Sequence, residues 1–225
     1  MKQRVISVIA TAVLGVSLAL MILTISIGIP IYFRPFYYWQ IEPLGLPDRT
    51  GFTAEQIRAS FDELMDYLIF PGGEFSVGVF NYSPEGQAHF EDCKLLFLLN
   101  GWVLLISTAV TATVLVLKRL KKVKLIKPLG FSVYGWAGGA TLGLFAVLGG
   151  LIAMDFDRAF VVFHKLFFPG KDNWIFNPRT DGIIRALPQE FFMRCAVAII
   201  ASVIILSCTA VVLSSVDTAR AKRRR

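Results

Sequence analysis

Four stretches of this chain, Val5 to Phe33, Leu95 to Leu117, Pro128 to Met154 and Cys195 to Val216, contain no Asp, Glu, Lys, Arg or His. Each reaches the roughly 20 apolar residues that a helix needs to cross a hydrocarbon core. The sequence therefore predicts an all-α membrane protein with four transmembrane helices, at about 5–33, 95–117, 130–154 and 195–216. The first stretch follows Lys2 and Arg4 as a signal peptide would. It is too long for the apolar region of such a peptide, however, and runs past Pro30 into Tyr32-Phe33-Arg34 with no small-residue cleavage site, so it is retained as a span.

The connecting segments orient these spans. Lys2, Arg4, the run Lys118 to Lys127 and the tail from Arg220 to Arg225, together with Asp217, carry 13 bases and one acid. Segments 34–94 and 155–194 hold the remaining 10 bases and 15 acids. The positive-inside rule places both termini in the cytoplasm of a multi-pass cell-membrane protein and the two acidic segments outside. The net charge of +7 thus averages two opposite faces and calls for no nucleic-acid partner. The two outer segments are too small to be separate domains but large enough for one extracytoplasmic cap, which predicts a single membrane domain over 1–225.

The cap has legible content. Thr53 and Gln56 fit a capping box, with Phe52 and Ile57 as a hydrophobic staple. Ile57, Phe61, Leu64, Met65 and Leu68 then share one helical face until Pro71-Gly72-Gly73. That face fits a membrane interface or the core of the cap equally well. Of the 29 aromatic residues, 23 fall between Tyr32 and Phe90 or between Phe156 and Phe192, more than an interfacial belt accounts for. They form either the cap's core or the walls of an apolar pocket.

Both histidines fall in the same compartment. His89 precedes the second span in AHFEDCK, with Asp92 and Cys93 three and four residues on; Asp92 either orients His89 or is a solvated neighbour. His164 follows the third span, and the spacing of Phe156, Phe160, Phe163 and Phe167 predicts that this span continues as a helix out of the bilayer. Each histidine alone reads more readily as a structural residue than as a functional one. Together they suit proton transfer near neutral pH. His89, Cys93, His164 and a carboxylate would supply zinc ligands, but no HExxH or paired-cysteine motif supports a metal, and no cofactor is predicted. Cys93, Cys195 and Cys208 form no CxxC pair, and Ser60, Ser76 and Ser83 occupy no nucleophile elbow. Spans free of charge argue against a pump or voltage sensor.

The segment FHKLFFPGKDNWIFNPRTDGIIRALPQEFF, residues 163–192, resembles the signature loop of a bacterial family of four-span membrane proteins, and AHFEDCK resembles its second motif. The activity characterised in that family is lipoprotein intramolecular transacylation. The resemblance implies a substrate, a diacylglyceryl lipoprotein within the membrane lipids, whose sn-2 acyl chain moves to the α-amino group of its N-terminal cysteine. It also implies that His89 and His164 match the family's catalytic pair; Cys93 departs from a Val-like position. An α-amino group of pKa about 7.7–8.0 is mostly protonated at neutral pH, so a neighbouring base is useful. Arg158 and Arg185 are candidates to stabilise an oxyanion, or form salt bridges with cap acids. Tyr82, Trp174, Asn177 and Asp181 are candidate substrate-pocket residues, although a turn suits Asn177-Pro178 and a capping role suits Asp181. The alternative is a non-catalytic membrane protein whose aromatic cap binds a lipid or a partner protein. The sequence gives no oligomeric state.

Overall fold

The structure, a computed structural model, describes the backbone of residues 1–223 and the side chains of residues 1–216. The side chains of Asp217 and the basic tail from Arg220 to Arg225 lie outside the described residues. Within them the chain is helical, without strands: α1 (Lys2–Tyr32), α2 (Pro35–Tyr38), α3 (Leu46–Thr50), α4 (Ala54–Ile69), α5 (Pro84–Arg119), α6 (Val133–Met154), α7 (Phe156–Phe167) and α8 (Gln189–Arg223). Helices α1, α5, α6 and α8 are long and apolar enough to cross a membrane, so this is a multi-pass membrane protein. The 36 residues of α5 rise about 54 Å against a hydrocarbon core of about 30 Å. Its polar first turns, Pro84 to Lys94, therefore lie outside the apolar span 95–117.

The chain divides into two compact units. The first comprises residues 1–26, 101–150 and 200–225. In lipid, packing leucine against leucine gains little over packing it against acyl chains, so close approach and hydrogen bonds hold such helices together. Here Gly138 lies so near α8 that a Cβ would sit 2.6 Å from the carbonyl oxygen of Ser207. The hydroxyls of Ser132 and Ser214 pair at 2.8 Å, and Thr11 Oγ1 accepts the Ile126 N–H at 3.0 Å.

The second unit, residues 27–100 and 151–199, has its own apolar core. Tyr37 sits at its centre: the ring stacks on Phe61 at 3.8 Å, meets Phe191 edge-on at 5.2 Å and donates its hydroxyl to the Ala186 carbonyl at 2.8 Å. Helix α4 begins at the expected capping box, with both reciprocal bonds present. Its residues Ile57, Phe61, Leu64, Met65 and Leu68 are all buried, so this face belongs to the core rather than to a membrane surface.

One expectation is corrected. The third span does not continue unbroken past Met154. Asp155 takes an extended conformation, accepts the Arg158 N–H at 2.9 Å and starts α7 as a new helix. A capping aspartate competes with helix continuation, and here the cap prevails. Helix α7 turns His164 inward and leaves Val162, Phe163, Leu166 and Phe167 exposed.

Candidate active site

The start of α5 is fixed by residues about a hundred positions away. Ser83 caps the helix: its Oγ accepts the Gly86 N–H at 3.0 Å, and Pro84 occupies the first helical position, where no N–H is needed. Ser83 is itself held by Asp181, whose Oδ1 accepts its backbone N–H at 2.8 Å and its hydroxyl at 2.7 Å. Thr180 donates to the other carboxylate oxygen at 2.7 Å. Burial alone would raise the pKa of Asp181, but these bonds outweigh it and keep the group below the usual carboxylate range. Gly86 makes the approach feasible, since a Cβ there would meet Asp181 Oδ1 at 2.2 Å. Asn81 ties the same segments together, donating to the Arg179 carbonyl at 2.7 Å and accepting the Gly182 N–H on its own carbonyl at 3.0 Å.

This clamp sets His89, on the second turn of α5, opposite His164 of α7. Their ring centroids are 5.8 Å apart, and they are 5% and 7% exposed. Phe168 lies edge-on to His89 at 4.9 Å and also contacts His164; Phe176 lies 5.4 Å from His89. Trp174 stacks on His164 at 4.6 Å, and Phe160 packs against it at 4.2 Å. The Nδ1 of His164 lies 2.7 Å from the Phe160 carbonyl, which can only accept, so Nδ1 carries the proton and Nε2 is the free base in the neutral ring.

Burial in this aromatic box disfavours the charged forms. The pKa of His89 falls to about 4, through burial first and then the charge of His164, while burial also lowers that of His164. Both rings are neutral at neutral pH. Cys93 places its Sγ 3.4 Å from His89 Nε2, and burial pushes its thiol up to about 12. Asp92 does not bond His89 directly. It accepts from Lys171 Nζ at 2.5 Å and from Asn173 Nδ2 at 3.2 Å.

The other sequence candidates separate from this pair. Only Trp174 touches an imidazole. Asp181 is the clamp just described, and Asn177 makes a turn, its Oδ1 accepting the Arg179 N–H at 3.0 Å. Tyr82 packs on Phe75 at 4.9 Å beside an open groove of about 440 Å³ lined by Tyr67, Glu74, Gln87 and Glu91. Among the described residues Arg158 and Arg185 form no ion pair, and nothing links either to the imidazoles; both are exposed. Ser60, Ser76 and Ser83 hydrogen-bond within the scaffold. Among the described residues no three of His, Cys, Asp and Glu converge as metal ligands. Phe168, Phe176 and Asn173 were missed. The first two were hidden in the general aromatic excess, and an Asn in a loop carries no signal beyond a turn.

Comparison with known proteins bears on this site. The family model described as lipoprotein intramolecular transacylase Lit matches residues 12–192. The in meso structure of the membrane integral lipoprotein intramolecular transacylase Lit from Bacillus cereus is similar at a TM-score of 0.88 and 28% identity, covering 99% of this chain and 100% of that one. Two structures of the same protein, in which a histidine is replaced by arginine or by alanine, match at a TM-score of 0.80 and 27% identity. They cover 99% of this chain and 96% and 98% of theirs, respectively. No curated relative matches in sequence.

Proposed function

Since this chain belongs to the lipoprotein intramolecular transacylase family, we propose that it moves the sn-2 acyl chain of a diacylglyceryl lipoprotein to the α-amino group of the same molecule's N-terminal cysteine, with His89 and His164 transferring the protons. The observation that carries this is the pair of buried, neutral imidazoles 5.8 Å apart in an aromatic box.

The proton balance calls for two bases. The substrate amine arrives largely as an ammonium. It must lose one proton before it can attack the ester carbonyl and another as the amide forms; the C–N bond is made and the C–O bond to the sn-2 oxygen broken. One of those protons neutralises the departing alkoxide, and the other leaves to solvent. A neutral ring can accept the first, and the imidazolium so formed is then the acid for the leaving oxygen, while the second ring is left neutral to relay the other proton toward solvent. Donor and acceptor share one molecule, so the box has to hold a flexible substrate in a medium-sized ring and keep out the water that would hydrolyse the ester. Trp174, Phe168 and Phe176 are the walls suited to this. The excess of bases in the loop 118–127 and at the termini supports a cytoplasmic side for those segments, and an extracytoplasmic side, where mature lipoproteins reside, for segments 34–94 and 155–194 as the cap of a single membrane domain.

His89→Ala and His164→Ala test the scheme by mass spectrometry of the N-terminal lipopeptide. Each variant, inserted and folded, should lose about 10²- to 10⁴-fold in turnover, and the double variant should be little worse than the weaker single. Near-normal turnover in either single variant would refute the two-histidine scheme. A lipopeptide of unchanged structure in the presence of native protein would favour a lipid- or partner-binding role.

A further inference from the structure

Two buried polar atoms at the imidazole pair have no hydrogen-bond partner among the described residues: His89 Nδ1 and Asn173 Oδ1. Leaving either unpaired costs about 1–3 kcal/mol, and they are complementary, a ring N–H donor and an amide carbonyl acceptor. The orientation of the Asn173 amide is not arbitrary. Its other atom, Nδ2, faces the Asp92 carboxylate at 3.2 Å, and a carboxylate accepts only, so the nitrogen must lie there and the oxygen must point away. Lys171 holds Asp92 in turn at 2.5 Å. Asn173 is near enough to the imidazole to act on its charged form as a side-chain hydrogen-bond partner. On the other side of the ring, Cys93 stays a thiol and can offer its S–H to Nε2, as suits a nitrogen that carries no proton.

We infer that Asn173 is a positioning residue: its side-chain carbonyl takes the Nδ1–H of His89 as the substrate closes the site, which fixes that tautomer and leaves Nε2 as the nitrogen that exchanges protons. Asp92 and Lys171 keep the amide facing the ring. His164 already has the same tautomer through the Phe160 carbonyl, so both rings then have Nε2 as the unprotonated nitrogen. The role rests on the proton-transfer reading of His89 given above.

The chain has only two histidines, so ¹⁵N-histidine labelling of the full-length protein yields two imidazoles, and a His164→Gln sample assigns the remaining one to His89. The spectrum of native protein should show His89 protonated at Nδ1. Asn173→Ala should shift it toward Nε2–H and lower kcat by about 10- to 100-fold, with KM changed less than about two-fold. The exchange Asp92→Asn with Asn173→Asp, which keeps an acceptor toward His89 and a donor–acceptor pair behind it, should recover most of that kcat. A native His89 protonated at Nε2, or an Asn173→Ala variant with native kcat, would overturn the role of Asn173. Either result could stand while His89→Ala remains inactive, in which case the two-histidine reaction survives without this support. An Nδ1–H tautomer alongside a fully active His89→Ala would instead remove the reaction scheme.

Discussion

Replacing Asp181 by alanine separates a scaffold residue from a substrate contact. Asp181 is 3% exposed and accepts three hydrogen bonds of 2.7–2.8 Å, two from Ser83 and one from Thr180. The hydroxyls of Ser83 and Thr180 can rotate toward other acceptors, but the Ser83 N–H is fixed by the helix start. A hydrogen bond to a charged acceptor contributes about 1.5–3 kcal/mol. With partial losses at the two hydroxyls, Asp181→Ala should cost about 3 kcal/mol. At about 2–4 °C per kcal/mol for a chain of this size, the midpoint of thermal unfolding should fall about 6–12 °C. Asp181→Asn retains an acceptor for the N–H and should lose less than half as much. Differential scanning fluorimetry of purified protein, paired with turnover at a temperature where both variants are folded, reads both quantities. Unaltered melting in Asp181→Ala together with lost turnover would refute the clamp and return Asp181 to the substrate pocket.

Three other outcomes follow from the site and its surroundings. In a background without native thiols, an impermeant reagent applied to intact cells should label Asp172→Cys and not Lys122→Cys; the reverse would invert the proposed orientation. Both imidazoles have folded-state pKa values below the ordinary 6.5, so the unfolded chain binds more protons between about 4 and 6.5. Stability should accordingly be flat above pH 7 and decline from 6.5 toward 5, less steeply in His89→Gln, and a melting midpoint that rises toward pH 5 would contradict the burial argument. Turnover should survive EDTA; loss on chelation with recovery on added zinc would contradict the metal-free proton scheme.

What could be read from the sequence was what local physics decides. Charge-free length located the spans, and the Thr53–Gln56 pair located the start of α4 to the residue. Both histidines were placed together because each lies within about ten residues of a span end in segments of like charge, although the helix expected to carry His164 is broken at Asp155. The identity of their neighbours was not legible. The partners of Asp92 lie at positions 171 and 173, and Asp181 holds Ser83, the cap of a helix that begins at 84, pairings set by how two loops meet rather than by any local pattern. Arg158 and Arg185 were candidates by charge alone, and charge does not specify which way a side chain points. The break at Asp155 was readable in principle, since an Asp at the end of an apolar run is a helix-start signal.

The distance in sequence between Ser83 and Asp181 also orders the protein's biogenesis. During synthesis α5 can form and enter the bilayer as soon as it emerges, but the carboxylate that secures its first turn is about a hundred residues behind, beyond one further span. Contacts of such separation form late, after the intervening loop has been closed. A nascent chain halted at the end of the third span therefore has its earlier helices inserted and His89 in place on α5, yet no loop to enclose it. The reactive arrangement arises only once the last hairpin is complete, so insertion precedes competence, and failures of assembly should appear as membrane-embedded but inert protein.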